Sequence, residues 1–210
     1  RSTLFPYTTL FRSPYSCFYL GEYTKGAGYG TTTNHLILNF KITPTDLNNN
    51  PARRKYKNAA IREVSAALTM HLSNQPAGRV VVPIPTSNLP GHADHDDRLL
   101  RALNGCKAAP PIAVRELIKQ SASTCADHES DERQSFDDLL ANCYLDEAVA
   151  LPAPTSVIVF DDVLTSGKHF KVCQRLIRER YGPIRIIGFF IARRIRPSID
   201  VDVELEELDA

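Results

Sequence analysis

Residues 157–170 read Val-Ile-Val-Phe-Asp-Asp-Val-Leu-Thr-Ser-Gly-Lys-His-Phe. Val157 to Phe160 form a continuous apolar, mostly β-branched run, the pattern of a strand buried on both faces of a parallel sheet. Two adjacent carboxylates follow, Asp161 and Asp162, then a hydroxyl- and glycine-containing turn, then helical spacing. In open α/β sheets ligands bind beyond the carboxyl ends of the strands, where this reading puts both acids. Ionised carboxylates only accept hydrogen bonds and so suit the hydroxyls of a ribose. The next residues, Val163 to Gly167, are expected to curl so that successive N–H groups form an anion nest. Thr165 and Ser166 add hydroxyl donors, Gly167 allows close backbone approach, and a helix starting near Lys168 points its positive end at the same anion. An Asp-Asp pair after a strand is by itself an ordinary turn with a helix cap. The whole order, strand, acids, turn and helix, points to a sugar phosphate.

This segment resembles the ligand motif of type I phosphoribosyltransferases, enzymes that use 5-phosphoribosyl 1-pyrophosphate (PRPP). That motif runs hydrophobic strand, paired acids, two residues, Thr-Thr/Ser-Gly, a variable residue, then usually Thr or Ser. The resemblance implies that Asp161 and Asp162 hold the ribose hydroxyls and that Val163, Leu164, Thr165, Ser166, Gly167, Lys168 and His169 hold the 5′-phosphate. His169 stands where a hydroxyl residue is usual. It also implies Mg²⁺ as cofactor, met by Asp161 or Asp162 directly or through water, a small nitrogen acceptor such as a nucleobase as second substrate, and a homodimer. The reaction implied is displacement of pyrophosphate from PRPP by that acceptor. Some proteins of this fold only sense PRPP or nucleotides, or serve as partners in DNA uptake, and this is the alternative.

Two other phosphate motifs fail. A P-loop needs Gly where Asp162 stands and Ser or Thr where His169 stands. The glycines at 26, 28 and 30 have the wrong spacing for a dinucleotide fingerprint and no strong strand before them.

Upstream, 52–72 carries apolar residues at helical spacing, and Val80 to Ile84 read as a buried strand closed by Pro83-Ile84-Pro85. By the resemblance, the loop after that strand, with Pro85, Thr86 and Ser87, binds pyrophosphate. Phe18 to Tyr23 read as a strand, 34–42 as a short helix or strand, and 46–51 as a polar turn. Asp94 to Leu103 read as a helix opened by acids, 110–114 as a second strand, and 133–144 as a helix. Residues 119–132 are polar and without periodicity, which suits a long mobile loop over a site. Lys119, His128 and Arg133 are its candidates for neutralising pyrophosphate. Ile184 to Ala192 form a further apolar strand.

The expected architecture is therefore α/β: a phosphoribosyltransferase-like open, mainly parallel sheet flanked by helices, with a small N-terminal lobe. The segments are a tail at 1–13, a lobe or hood at 14–50, a core at 51–198 and an acidic edge strand or tail at 199–210. Residues 3–13 resemble a translated sequencing adapter and are set aside, so the authentic chain is expected to begin near Pro14 or Tyr15 with its own start lost. A subgroup, the competence protein F-like proteins, shares a Val-Pro-x-Pro strand end and a Lys after an apolar run, Lys41 here. The chain lacks that subgroup's zinc finger and its Arg-Gly-Phe-Asn-Gln run, and has Asp96-Asp97-Arg98-Leu99 in that region.

Composition sets outer limits. The 210 residues carry a formal net charge of +1, so no bulk field recruits nucleic acid or a membrane surface. No apolar run approaches the ~20 residues that span a bilayer. The five cysteines are scattered without a Cys-x-x-Cys pair, which favours thiols in a reducing compartment, the cytoplasm.

Overall fold

The computed structural model describes residues 16–123 and 135–195, together with the backbone of 11–12. The elements run β1 (Phe11–Arg12), β2 (Cys17–Thr24), α1 (Thr32–Phe40), α2 (Pro44–Asn49), α3 (Arg54–Leu72), β3 (Arg79–Pro83), α4 (Arg98–Asn104) and β4 (Ala113–Val114). There follow β5 (Ile118–Gln120), α5 (Phe136–Asn142), β6 (Cys143–Leu145), β7 (Ser156–Leu164), α6 (Lys168–Tyr181) and β8 (Arg185–Ile195). Six strands form one sheet in the order β1-β2-β8-β7-β3-β4, parallel except for β1 against β2. β5 and β6 pair separately as an antiparallel ribbon. The fold is the expected open, mainly parallel α/β sheet flanked by helices.

Each face of the sheet has its own core. Leu36, Ile37 and Phe40 of α1, Ile61, Val64 and Leu68 of α3, and Leu99 and Leu103 of α4 pack on Ile158, Phe160 and Phe189. On the other face Phe170, Cys173 and Ile177 of α6 pack with Leu117 and Ile118 on Val157, Val159 and Phe190. β7 therefore feeds alternate residues into both cores, and Val157, Val159 and Phe160 are fully buried. The spacing read for the third helix holds: Ala60, Ile61, Val64, Ala67, Leu68 and Leu72 are its buried stripe.

Several local expectations need correction. The stretch 34–42, readable as helix or strand, is helical as far as Phe40. Thr31 caps it by accepting from Asn34 N–H, and buried Asn34 binds Thr24 N–H, Thr24 C=O and Gly28 C=O at 2.8–3.0 Å. Residues 46–51, read as a turn, lie largely in α2, which starts earlier at Pro44; Thr43 and Asp46 close a capping box and Pro44 occupies the first turn. The helix expected from Asp94 begins only at Arg98, because Asp94 and Asp96 are drawn to Thr45 and Lys57. The second strand shrinks to two residues. The expected helix over 133–144 is Phe136–Asn142, after which the chain turns into β6.

The N-terminal strand β2 joins the main sheet beside β8, in register Cys17↔Gly188 through Thr24↔Ile195. Two residues of the stretch set aside as adapter-like, Phe11 and Arg12, pair with Tyr19 and Phe18. Residues 199–210 lie outside the described residues. No disulfide joins the described cysteines, and no described helix is long and apolar enough to cross a membrane.

The β2–β8 seam is close at Gly188. A Cβ there would stand 2.7 Å from Phe190 Cε2 and 2.8 Å from Cys17 Sγ. Gly188→Ala is therefore expected to destabilise the chain by about 1–3 kcal/mol through overpacking. Urea unfolding, followed by circular dichroism, measures it; an unchanged midpoint would show that the seam yields.

Candidate functional site

The site lies at the carboxyl end of β7. The strand does not stop at Phe160, as the apolar run suggests, but continues through both acids to Leu164. The length of β8 explains this: it still offers Phe190, Ala192 and Arg193 as partners to Asp161, Val163 and Leu164. Val163 and Leu164, expected in the turn, thus stay in the sheet, and the turn contracts to Thr165, Ser166 and Gly167. Thr165 and Ser166 are exposed. Gly167 sits at φ 75°, a left-handed geometry that favours glycine, and leads into α6, whose first turn has no side-chain cap. Lys168 N–H reaches Ser166 Oγ at 3.5 Å. A helix start beside two exposed hydroxyls is an arrangement able to receive an anion.

The two carboxylates part company. Neighbours in a strand face opposite sides. Asp162 turns to the Phe160 side, where it is 4% exposed and meets helix α4. Asp161 turns to the α6 side and is half-buried; there burial raises the Cys173 thiol, with smaller contributions from Cys143 and Asp161. Asp162 has no register partner on β8, and its N–H goes instead to Asp161 Oδ1 at 2.7 Å.

Asp162 is one link in a buried chain of charges. Arg98 gives Nε and Nη2 to Asp162 Oδ2, at 3.0 and 2.6 Å, and Nη1 to Asp96 Oδ2 at 3.1 Å. Lys41 Nζ lies 3.4 Å from Asp162 Oδ1. Lys57 Nζ binds Asp96 Oδ2 at 2.7 Å and Ile42 C=O at 2.5 Å. Burial disfavours ionisation of Asp162, but Lys41 and Arg98 outweigh it and hold its carboxyl well below the usual range. Asp161 goes the other way. Burial, and then the negative charge of Asp162, push it up to about 7. Burial likewise lowers Lys57, against the pull of Asp96.

The loop after β3 starts on β7, with Ile84 N–H bonded to Phe160 C=O at 2.9 Å. Gln120 of β5 donates to Thr86 C=O at 2.6 Å and Ser87 C=O at 3.0 Å, and Thr86 Oγ1 reaches Asn88 C=O. Pro85, His169, Gln120 and Cys143 line one small cavity, so the loop after β3 and the start of α6 approach each other. Lys119, expected near a phosphate, pairs with Glu116 at 3.3 Å. His128 and Arg133 lie outside the described residues. Among those described, no group of three or more His, Cys, Asp or Glu is arranged to hold a metal ion by itself.

Arg98, Asp96 and Lys57 were not among the expected site residues. The signal was a cation beside acids in 96–98, and a Lys at 57 on a face otherwise apolar.

No protein-family model matches the chain, and no curated protein matches it. Among solved structures, a hypoxanthine phosphoribosyltransferase from Staphylococcus aureus is similar over 65% of this chain and 73% of that one, with 13% identity and a TM-score of 0.35. A likeness this loose carries no argument about function.

Asparagine at the two acids should act in opposite directions. The folded chain keeps the Asp161 proton up to about pH 7, whereas an unfolded Asp releases it near pH ~3.9. The native state then binds more protons, so this group's contribution to stability falls as pH rises through that window. Asp161→Asn should raise the thermal midpoint at pH 8 and change it little at pH 4. Asp162 is depressed, so its contribution is present above the unfolded pKa and lost as pH falls through the folded one. Asp162→Asn at pH 8 should cost about 3 kcal/mol, the order seen when one partner of a buried pair is removed. Thermal scans of both variants at the two pH values measure this, and shifts of the same sign would contradict the assigned charge states.

Proposed function

We infer that the chain binds PRPP and transfers ribose 5-phosphate from it to a nitrogen acceptor, releasing pyrophosphate. The observation that carries this reading is the turn at 165–167 and the start of α6, two residues beyond an adjacent acid pair near the end of a central parallel strand. A 5′-phosphate there would receive the Thr165 and Ser166 hydroxyls and the backbone at the start of α6. The ribose would then lie over the end of β7, within reach of Asp161. The loop with Pro85, Thr86 and Ser87, next along the sheet, would face the pyrophosphate. A nucleobase is the acceptor class this reading favours.

The acids divide the work. Two Arg98 N–H groups occupy Asp162 Oδ2 and Lys41 stands 3.4 Å from Oδ1, so Asp162 acts as a fixed negative charge and keeps acceptor capacity for the sugar only on Oδ1. Asp161 keeps one oxygen for its neighbour's N–H and the other for a ribose hydroxyl. Positive charge developing on the ribose would be stabilised by the fixed charge of Asp162 without reorganisation. Mg²⁺ takes hard oxygen donors and is satisfied by one or two carboxylates plus ligand oxygens and water. Asp161 fits that requirement with its open oxygen, and Asp162 has acceptor capacity left on Oδ1 beside Lys41. Bound there, the ion would offset the charge of the departing pyrophosphate.

The engagement of Asp162 also favours a second reading, a protein that binds PRPP or a nucleotide as a signal and does not turn it over. Calorimetry with PRPP and Mg²⁺, beside Asp161→Asn, tests the shared step. Micromolar binding weakened at least about tenfold by the variant is expected, the scale of a charge-assisted hydrogen bond. A folded chain that fails to bind would reject both readings. Pyrophosphate release on adding purine or pyrimidine bases then separates enzyme from sensor.

A further inference from the structure

We propose that Arg98 is a positioning residue that locks the β3–α4 loop, residues 84–97, to the acidic end of β7. The argument starts from how the loop is held. Its first residue is bonded to β7 through Ile84 N–H and Phe160 C=O. Its body is stitched into one unit: Asn88 Nδ2 donates to Asp94 C=O at 3.1 Å, and the His95 ring contacts Asn88 C=O at 2.8 Å. Its far end carries Asp96, which is 7% exposed.

Each buried acid has a cation of its own. Asp162 has Lys41, and Asp96 has Lys57. Arg98 is shared between them, and among the described residues it is the only side chain ion-paired to both. Removing its guanidinium leaves neither carboxylate without a cation. What is lost is the link between the two pairs, one on β7 and the other on α3 and the loop. A planar, multi-donor fork can make this link, and a single ammonium cannot match its geometry.

The consequence for ligand rests on the reading given under Proposed function. There the loop faces pyrophosphate and the end of β7 faces ribose 5-phosphate, so Arg98 sets the spacing between the two halves of one ligand. Its loss should weaken a ligand that spans both halves more than one that occupies only the second.

The test uses the full chain with Arg98→Met and Arg98→Lys. Amide hydrogen exchange without ligand reads the lock itself. Arg98→Met should speed exchange at 84–97 by on the order of tenfold, while β2–β8 amides stay within about twofold, as for a local opening. Arg98→Lys should fall between. Calorimetry with Mg²⁺ then compares PRPP with ribose 5-phosphate. Arg98→Met should lose about tenfold or more for PRPP and less than about threefold for ribose 5-phosphate. Uniformly faster exchange over the whole sheet, or none at the loop, would overturn the proposal. Equal losses for the two ligands would overturn its consequence for spacing. If the wild-type chain binds neither ligand while the loop exchanges as expected, the PRPP reading falls and the lock stands.

Discussion

Arg98 holds two buried carboxylates at once, and the carboxyl end of the sheet is built around that grip. Three cations, Lys41, Lys57 and Arg98, and two acids, Asp96 and Asp162, meet where α1, α3, the β3–α4 loop and β7 converge. Taking such groups from water costs several kcal/mol per ion, and well-packed apolar side chains of the same volume often do as well or better for stability. A hydrophobic plug, however, has no preferred direction. A guanidinium between two carboxylates fixes angle and distance together, which is what a shaped site needs. The network also carries one more positive than negative charge, a favourable background for an anionic ligand at the sheet end.

The charge states of the two neighbouring acids follow from the same geometry. Because β7 stays paired with β8 beyond Phe160, Asp161 and Asp162 project to opposite faces. One side offers Arg98 and Lys41; the other is the face that α6 covers, with Cys173 nearby. A pair that looks symmetric in the sequence becomes a fixed anion and a proton-holding carboxyl. Had the strand ended at Phe160, both side chains could have turned into the same loop.

Much of this was legible in the sequence, for identifiable reasons. The apolar runs at 80–84, 157–160 and 186–191 are long enough to mark central strands, and the 3.6-residue spacing of 60–72 and 170–177 marks the helices that cover them. The order of acids, hydroxyls and glycine after the apolar run 157–160 marked the end of that strand and the turn into α6. The continuation of β7 to Leu164 was not legible, because it depends on how far β8 extends, a property of a distant segment. Nor was the role of Arg98, since a cation beside Asp96 and Asp97 reads as a solvated helix start until the fold brings Asp162 against it. α2 carries its own start signal, the capping box of Thr43 and Asp46 with Pro44 in the first turn, but the run that follows is polar and offers no apolar stripe to mark a helix.

The placement of β2 affects how the chain is made. Its partner on the inner side is β8, so residues 17–24 find their ladder only when residues 185–195 are available. On a ribosome adding ~5–20 residues per second, the N-terminal strand must wait on the order of ten seconds with its inner edge unpaired. During that interval an apolar strand with open backbone groups is a template for association with other nascent chains. β2 carries Gly21 in its middle, followed by Glu22, which ends the continuous apolar run at Cys17–Leu20. A short apolar run broken by Gly21 and Glu22 is a poorer template for such association than an uninterrupted one.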